Sequence, residues 1–68
     1  MLEQFYKDCR NELIGWCTTL THDPMLAEDL VHEAFLRAME QYLATLESLS
    51  PAQKKAWFYR VIKNMYID

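Results

Sequence analysis

Glycine and proline are nearly absent: Gly15 is the single glycine, and Pro24 and Pro51 are the two prolines, in 68 residues. So few backbone breakers argue against a chain of many short strands and favour long helices. Cysteine is scarce too. Cys9 and Cys17 lie eight positions apart on what reads as one helix. At a rise of ~1.5 Å per residue that is ~12 Å, too far for a disulfide, so no disulfide framework is expected. Free buried thiols fit a reducing compartment, and the chain is expected to be cytoplasmic. No stretch approaches the ~18 apolar residues of a membrane span. Glu3 follows Met1 and Leu2 at once, and no cleavage-like site comes after it, so no signal peptide is expected. His22, His32, Cys9 and Cys17 match no tight metal-ligand spacing, so no metal site is expected. There is no nucleophile motif, no phosphate-cradling glycine loop and no HExxH. The expectation is therefore no enzyme and no cofactor, even though Asp29, His32 and Glu33 stand close together in the sequence.

What the chain does have is apolar mass. Half of it is hydrophobic (51%) and 13% is aromatic, which is enough for a packed core and argues against disorder. The length fits one domain spanning residues 1–68. Charge is unevenly placed. Residues 1–49 hold nine acidic and three basic side chains, whereas residues 50–68 hold Lys54, Lys55, Arg60 and Lys63 against Asp68 alone. An acidic part followed by a basic part suggests two different partners; in a short chain the same split also arises by chance.

Three helices carry the pattern. Leu2, Phe5, Tyr6, Cys9, Leu13, Trp16, Cys17 and Leu20 recur at steps of three and four, predicting a first helix over about 2–20, with a break at Thr21-His22. Asp23 is a good N-cap and Pro24 a good first helical residue, because its missing N–H has no partner there. Ala27, Leu30, Val31, Ala34, Phe35, Ala38 and Tyr42 then form the apolar stripe of a second helix reaching about Gln41 or beyond. The stretch from Tyr42 to Leu49 reads equally as a short extra helix or a fraying end. Ser50, Pro51 and Gln53 make a second start signal, a capping box, for a helix whose apolar sector is Trp57, Phe58, Val61, Ile62 and Met65. The pattern runs to Asp68 without a C-cap, as a piece of a longer protein would. The expected fold is all-α, a compact bundle of three to four helices.

Two faces lie outside this core. On the second helix, Asp29, His32, Glu33, Leu36 and Glu40 form one stripe opposite the apolar one, with Met39 beside Leu36. A large apolar residue within a charged rim is how many protein-binding surfaces are built, and it is also how a solvated face with one stray leucine looks. On the last helix, Lys55, Tyr59, Lys63 and Tyr66 form a basic-aromatic stripe, with Arg60 and Asn64 further round. Such a stripe suits phosphates and unstacked bases, and it equally suits an ordinary amphipathic helix with boundary tyrosines. Trp57, at the edge of the apolar sector, fits either core or stacking surface.

Two blocks in order resemble a known family. Ala27-Glu28-Asp29-Leu30-Val31-His32-Glu33-Ala34-Phe35-Leu36-Arg37-Ala38 resembles the AEDLVQEtFLrA block of region 2 in bacterial sigma factors, especially the extracytoplasmic-function (ECF) group. Ala56-Trp57-Phe58-Tyr59-Arg60-Val61-Ile62-Lys63-Asn64-Met65-Tyr66-Ile67-Asp68 resembles that group's aWLyrIarNlaiD block, at about the right separation.

The resemblance implies a transcription initiation domain. Its second helix docks on the coiled-coil clamp of the polymerase β′ subunit, and the matching positions are Asp29, His32, Glu33 and Leu36, with Arg37 as a neighbour. His32 replaces the family's usual glutamine. The family's third conserved helix and the loop before it bind the −10 element of the promoter and capture an unstacked base of the non-template strand. The matching positions are Lys55, Trp57, Tyr59, Arg60, Lys63 and Asn64, with the loop at 47–50. Partners implied are RNA polymerase core and promoter DNA, with room for an anti-sigma factor. The family usually continues into a second domain that reads the −35 element, which is not in these 68 residues. The competing expectation is a helical interaction module that binds polymerase or another protein without recognising a promoter.

Overall fold

Asp23 fixes the start of the second helix as expected. Its carboxylate accepts the backbone N–H groups of Met25 (3.0 Å) and Leu26 (3.2 Å), two donors that have no partner inside the helix. Ser50 and Gln53 close the capping box. The Ser50 N–H donates to Gln53 Oε1 at 2.9 Å, and the Gln53 N–H donates to Ser50 Oγ at 3.2 Å. These caps bound two of the four helices in the computed structural model, which describes residues 2–67: α1 (Leu2–Thr21), α2 (Pro24–Gln41), α3 (Leu43–Glu47) and α4 (Pro51–Ile67). No strand occurs among the described residues. Asp68, with the expected stop of the pattern there, lies outside them.

The break after α1 has a local cause. His22 takes a left-handed backbone, φ 59°, and its N–H donates to the carbonyl of Thr18 at 2.7 Å. This is a C-terminal stop usually supplied by glycine; histidine is among the few other residues that tolerate it. Thr21 Oγ1 then accepts the Asp23 N–H at 3.1 Å, turning the chain directly into α2. Tyr42–Leu49, left open by the sequence, contains the five-residue helix α3.

The core is narrow along α2. Ala27, Val31, Ala34 and Ala38 are fully buried, and their small side chains let α1 and α4 approach closely. Leu2, Phe5, Leu13 and Cys17 enter from α1, Leu46 from α3, and Phe58 and Ile62 from α4. Aromatic pairs lock the helices together. Phe5 stacks on Phe58 with ring centres 5.8 Å apart, and Tyr6 lies nearly parallel to Phe35 at 3.9 Å.

Three side chains depart from the sequence expectation. Tyr42 belonged to the α2 stripe, but α2 ends one residue earlier. The turned backbone at Tyr42 (φ −129°, ψ 15°) leaves the residue 43% exposed, its ring against Trp57 at 5.5 Å. Met39, expected beside Leu36 on the outer face, is instead half-buried against the core. Lys54, counted in the basic segment, is buried with its ammonium 5.6 Å from the centre of the Phe5 ring. A cation over an aromatic face gains about 0.5–2 kcal/mol, which offsets part of the desolvation.

Phe58 is fully buried and touches both α1 and Trp57, so Phe58→Ala should destabilise the domain by about 3–5 kcal/mol. Phe35 is only half-buried, and Phe35→Ala should cost less than Phe58→Ala. Urea titration of both variants at unchanged m-value checks the order, and equal losses would contradict the burial difference.

Candidate functional site

The α2 stripe stands clear of the bundle. At ~100° per residue, Asp29, His32, Leu36 and Glu40 point away from the buried seam, with Glu33 slightly to one side. All five are exposed, and Leu36 keeps 38% of its surface in solvent. Met25, one turn before Asp29, continues the stripe and is 80% exposed, the largest exposure of a large apolar side chain among the described residues. Sequence reading missed it, although stepping back four positions from Asp29 reaches it. Leu36 and Met25 thus bracket Asp29, His32 and Glu33 with apolar positions, and Glu40 lies one turn beyond.

Arg37 sits elsewhere. It projects to the flank of α2 that faces α4, where it lines a groove of about 320 Å³ with Val61, Asn64 and Met65. Its Nε lies 4.0 Å from Glu33 Oε2, a loose pair of exposed side chains. Arg37 therefore borders the α4 surface as much as the α2 stripe. Glu28, on the opposite flank, pairs with Arg10 of α1 at 3.6 Å.

The α4 residues expected to work together are divided among three settings. Lys55 and Tyr59 border α1. Lys55 Nζ lies 2.9 Å from Glu12 Oε2 and 3.2 Å from Oε1, and the Tyr59 hydroxyl donates to Glu12 Oε2 at 3.3 Å. The Tyr59 ring packs against Trp16 at 4.6 Å. Trp57 occupies the other border, edge-on to Phe58 at 5.1 Å and beside Tyr42. It also lines a second groove, of about 220 Å³, with Leu49, Gln53, Ala56 and Arg60. Between the borders, Arg60, Lys63 and Asn64 face solvent. The basic-aromatic stripe is thus broken by Glu12, forty-three residues from Lys55, a contact no local sequence pattern could reveal.

Of the four basic residues of the last segment, Lys54 is buried and Lys55 is neutralised by Glu12. Arg60 and Lys63 have no ionic partner among the described residues. Burial pushes the Cys9 and Cys17 thiols up, so neither is poised as a reactive thiolate. No cluster of three or more potential metal ligands occurs among the described residues, and none of their helices is long and apolar enough to cross a membrane.

An all-helical bundle with one acidic and one basic outer face carries the two sequence blocks on those faces, and the model of the family described as Sigma-70 region 2 matches residues 5–68. The chain belongs to the sigma-70 region 2 family. Among curated proteins, this region 2 chain is similar to the ECF RNA polymerase sigma factor SigM of Bacillus subtilis (strain 168), 31% identical over 67 residues. That alignment takes in 98% of the chain and 39% of the relative, so the chain spans about two fifths of the relative's length. No solved structure matches the chain.

The Glu12–Lys55 contact of this region 2 domain has a definite pH signature. The hydrogen bond from Lys55 holds the Glu12 carboxyl below its ordinary value, and the same bond holds Lys55 above its own. A lowered acid contributes stability above its ordinary range and loses it as pH falls through the lowered value. A raised base contributes fully below its ordinary value and loses it as pH rises through the raised one. The stability difference between wild type and Glu12→Gln should be flat near neutrality and shrink at both extremes. Urea midpoints measured across pH check this; a difference insensitive to acid would remove the ion pair as its cause.

Proposed function

We propose that this domain works in transcription initiation, holding core RNA polymerase with α2 and the −10 region of promoter DNA with α4 and the loop before it. The observation that carries this reading is the placement of the two faces. The exposed acidic stripe of α2, with Asp29, His32, Glu33 and Leu36, is available to a protein partner. The outward row of α4, with Arg60, Lys63 and Asn64 beside the Trp57 groove, is available to nucleic acid. Membership of the sigma-70 region 2 family and similarity to an ECF sigma factor support it.

The division follows from charge. Phosphates are repelled by the carboxylates of α2 and attracted by Arg60 and Lys63, so DNA and polymerase approach different faces. Phosphate contacts position the strand without reading it. Opening a duplex costs a few kcal/mol per unstacked base, and a groove with an aromatic wall such as Trp57 offsets this by accepting the freed base. Leu36 and Met25 supply apolar anchors on α2, and Asp29, His32 and Glu33 supply the polar contacts that fix register on the β′ clamp helices. Such a factor acts in the cytoplasm, without catalysis or cofactor, and the same α2 face is open to an anti-sigma factor. Reading of a −35 element is assigned to no residue of this chain.

A second reading draws on the burial of Lys54 and the pairing of Lys55. With two of four cations withdrawn, the domain fits a module that binds polymerase, or another protein, without recognising a promoter. The two readings separate experimentally. Calorimetry against a purified β′ clamp coiled coil should show binding that Glu33→Lys weakens at least about tenfold, or about 1.4 kcal/mol, with the fold intact because Glu33 is exposed. Absence of binding by the folded wild type would remove the polymerase assignment. For nucleic acid, Lys63→Ala should weaken binding to single-stranded DNA and flatten the salt dependence by about 0.7 in log–log slope. A slope equal to wild type would favour the module without DNA recognition.

A further inference from the structure

Glu12 is the only side chain of α1 that reaches the charged border of α4 with both carboxylate oxygens engaged. One oxygen lies 2.9 Å from Lys55 Nζ, and the other accepts from it at 3.2 Å. The Tyr59 hydroxyl completes the set at 3.3 Å, and its ring is pinned by Trp16. No residue of α4 itself presents a carboxylate here, so the contact is made entirely across the helix interface. We propose that Glu12 is an affinity-setting residue for nucleic acid: it occupies Lys55 and Tyr59 as an internal stand-in for a backbone phosphate, leaving single-strand binding to Arg60 and Lys63.

The inference rests on the nucleic-acid reading of α4 given above and adds to it which residues are silent and why. A carboxylate and a phosphodiester are the same kind of ligand for an ammonium group: anionic oxygens at hydrogen-bond distance. Glu12 is tethered to the same fold, so its local concentration at Lys55 exceeds that of any strand in dilute solution. A phosphate that approached Lys55 would also meet the negative charge of Glu12 at close range, so the pair as a unit presents no net attraction. Tyr59 is held back by the same acid. Its hydroxyl is engaged by Glu12 and one side of its ring is covered by Trp16, so it offers strands no free donor and at most one face. Arg60 and Lys63 stand one and four positions beyond Tyr59, turned to solvent, and remain as the cations a backbone can reach.

The salt dependence of binding counts the cations that neutralise phosphates, at about 0.7 in log–log slope per contact on single strands. The test is fluorescence anisotropy of a labelled oligothymidylate with the full chain, from about 50 to 200 mM salt. The variants are Glu12→Gln, Lys55→Ala, their double mutant and Lys63→Ala. Glu12→Gln keeps an oxygen for the Tyr59 hydroxyl and removes only the charge. It should tighten binding and steepen the slope by about 0.7, so that its advantage shrinks about 2.6-fold across that salt range. Lys55→Ala alone should leave the slope at the wild-type value, lowering affinity slightly at most through the bared Glu12 carboxylate, and in the double mutant it should erase the gain from Glu12→Gln. A flatter slope for Lys55→Ala in the wild-type background would overturn the proposal, because Lys55 would then already hold a phosphate. An unchanged slope for Glu12→Gln would overturn it too, and Lys55→Ala decides alone should Glu12→Gln fail to fold. If Lys63→Ala also leaves the slope unchanged, the nucleic-acid reading of α4 falls with it. If Lys63→Ala flattens the slope, that reading stands and only the role of Glu12 is lost.

Discussion

Ala27, Val31, Ala34 and Ala38 have no exposed surface, and three of the four carry a single methyl group. Their burial sets how the other helices can be placed. A seam of small side chains lets neighbouring backbones come close, and large residues then have to arrive from outside: Phe5 and Leu13 from α1, Phe58 and Ile62 from α4. Because α2 spends only this narrow seam on the core, its opposite side stays free along its whole length. The exposed stripe from Met25 to Glu40 is the geometric complement of the alanine seam, and a bulkier seam would push α1 and α4 outward.

A chain of this size buries only ~60% of the surface it exposes when unfolded, so each cross-helix contact weighs heavily. The aromatic pairs answer that constraint. Phe5 with Phe58 joins the start of α1 to the middle of α4, and Tyr6 with Phe35 joins α1 to α2. Lys54 is drawn into the same cluster, its aliphatic stem buried and its charge over Phe5. Trp57 is tied to both Phe58 and Tyr42, so the wall of the 220 Å³ groove is held by the core. A side chain fixed in this way loses little entropy when a flat ligand stacks on it.

Most of the fold was legible because most of it is local. Asp23-Pro24 and Ser50-Pro51 with Gln53 act through bonds spanning two or three residues, and the sequence shows them directly. The core stripes of α1 and α4 follow the helical period. Tyr42 failed because the apolar period continues past the point where the backbone turns and ends α2. Lys54 was counted with the basic segment by residue type alone, while Phe5, forty-nine positions earlier, provides a face against which it is buried. The candidate site was read as two families of outward residues, one on each helix, of which Lys55, Trp57 and Tyr59 are half-buried. Its division was not legible, since Glu12 meets Lys55 only after the bundle has formed, and nothing within a turn of either residue announces the pairing.

Salt limits how far the charges of one face are felt at the other. The molecule measures 32 × 24 × 17 Å, and the Debye length at 0.1 M ionic strength is about 10 Å. Carboxylates on the outer side of α2 and cations on the outer side of α4 therefore influence one another chiefly where they lie within about that distance, as beside the groove that Arg37 shares with Asn64. The interactions that do couple the acidic and basic parts are those made at contact distance, and Glu12 with Lys55 is the closest of them. An acidic sequence can thus present a basic surface, provided its acids are kept on another side or consumed in pairs. The net charge of the chain is −3, yet the outward row of α4 holds Arg60 and Lys63 and no acid among the described residues. What a polyanion meets is decided by that local arrangement, and the overall charge governs only its long-range approach, which salt screens.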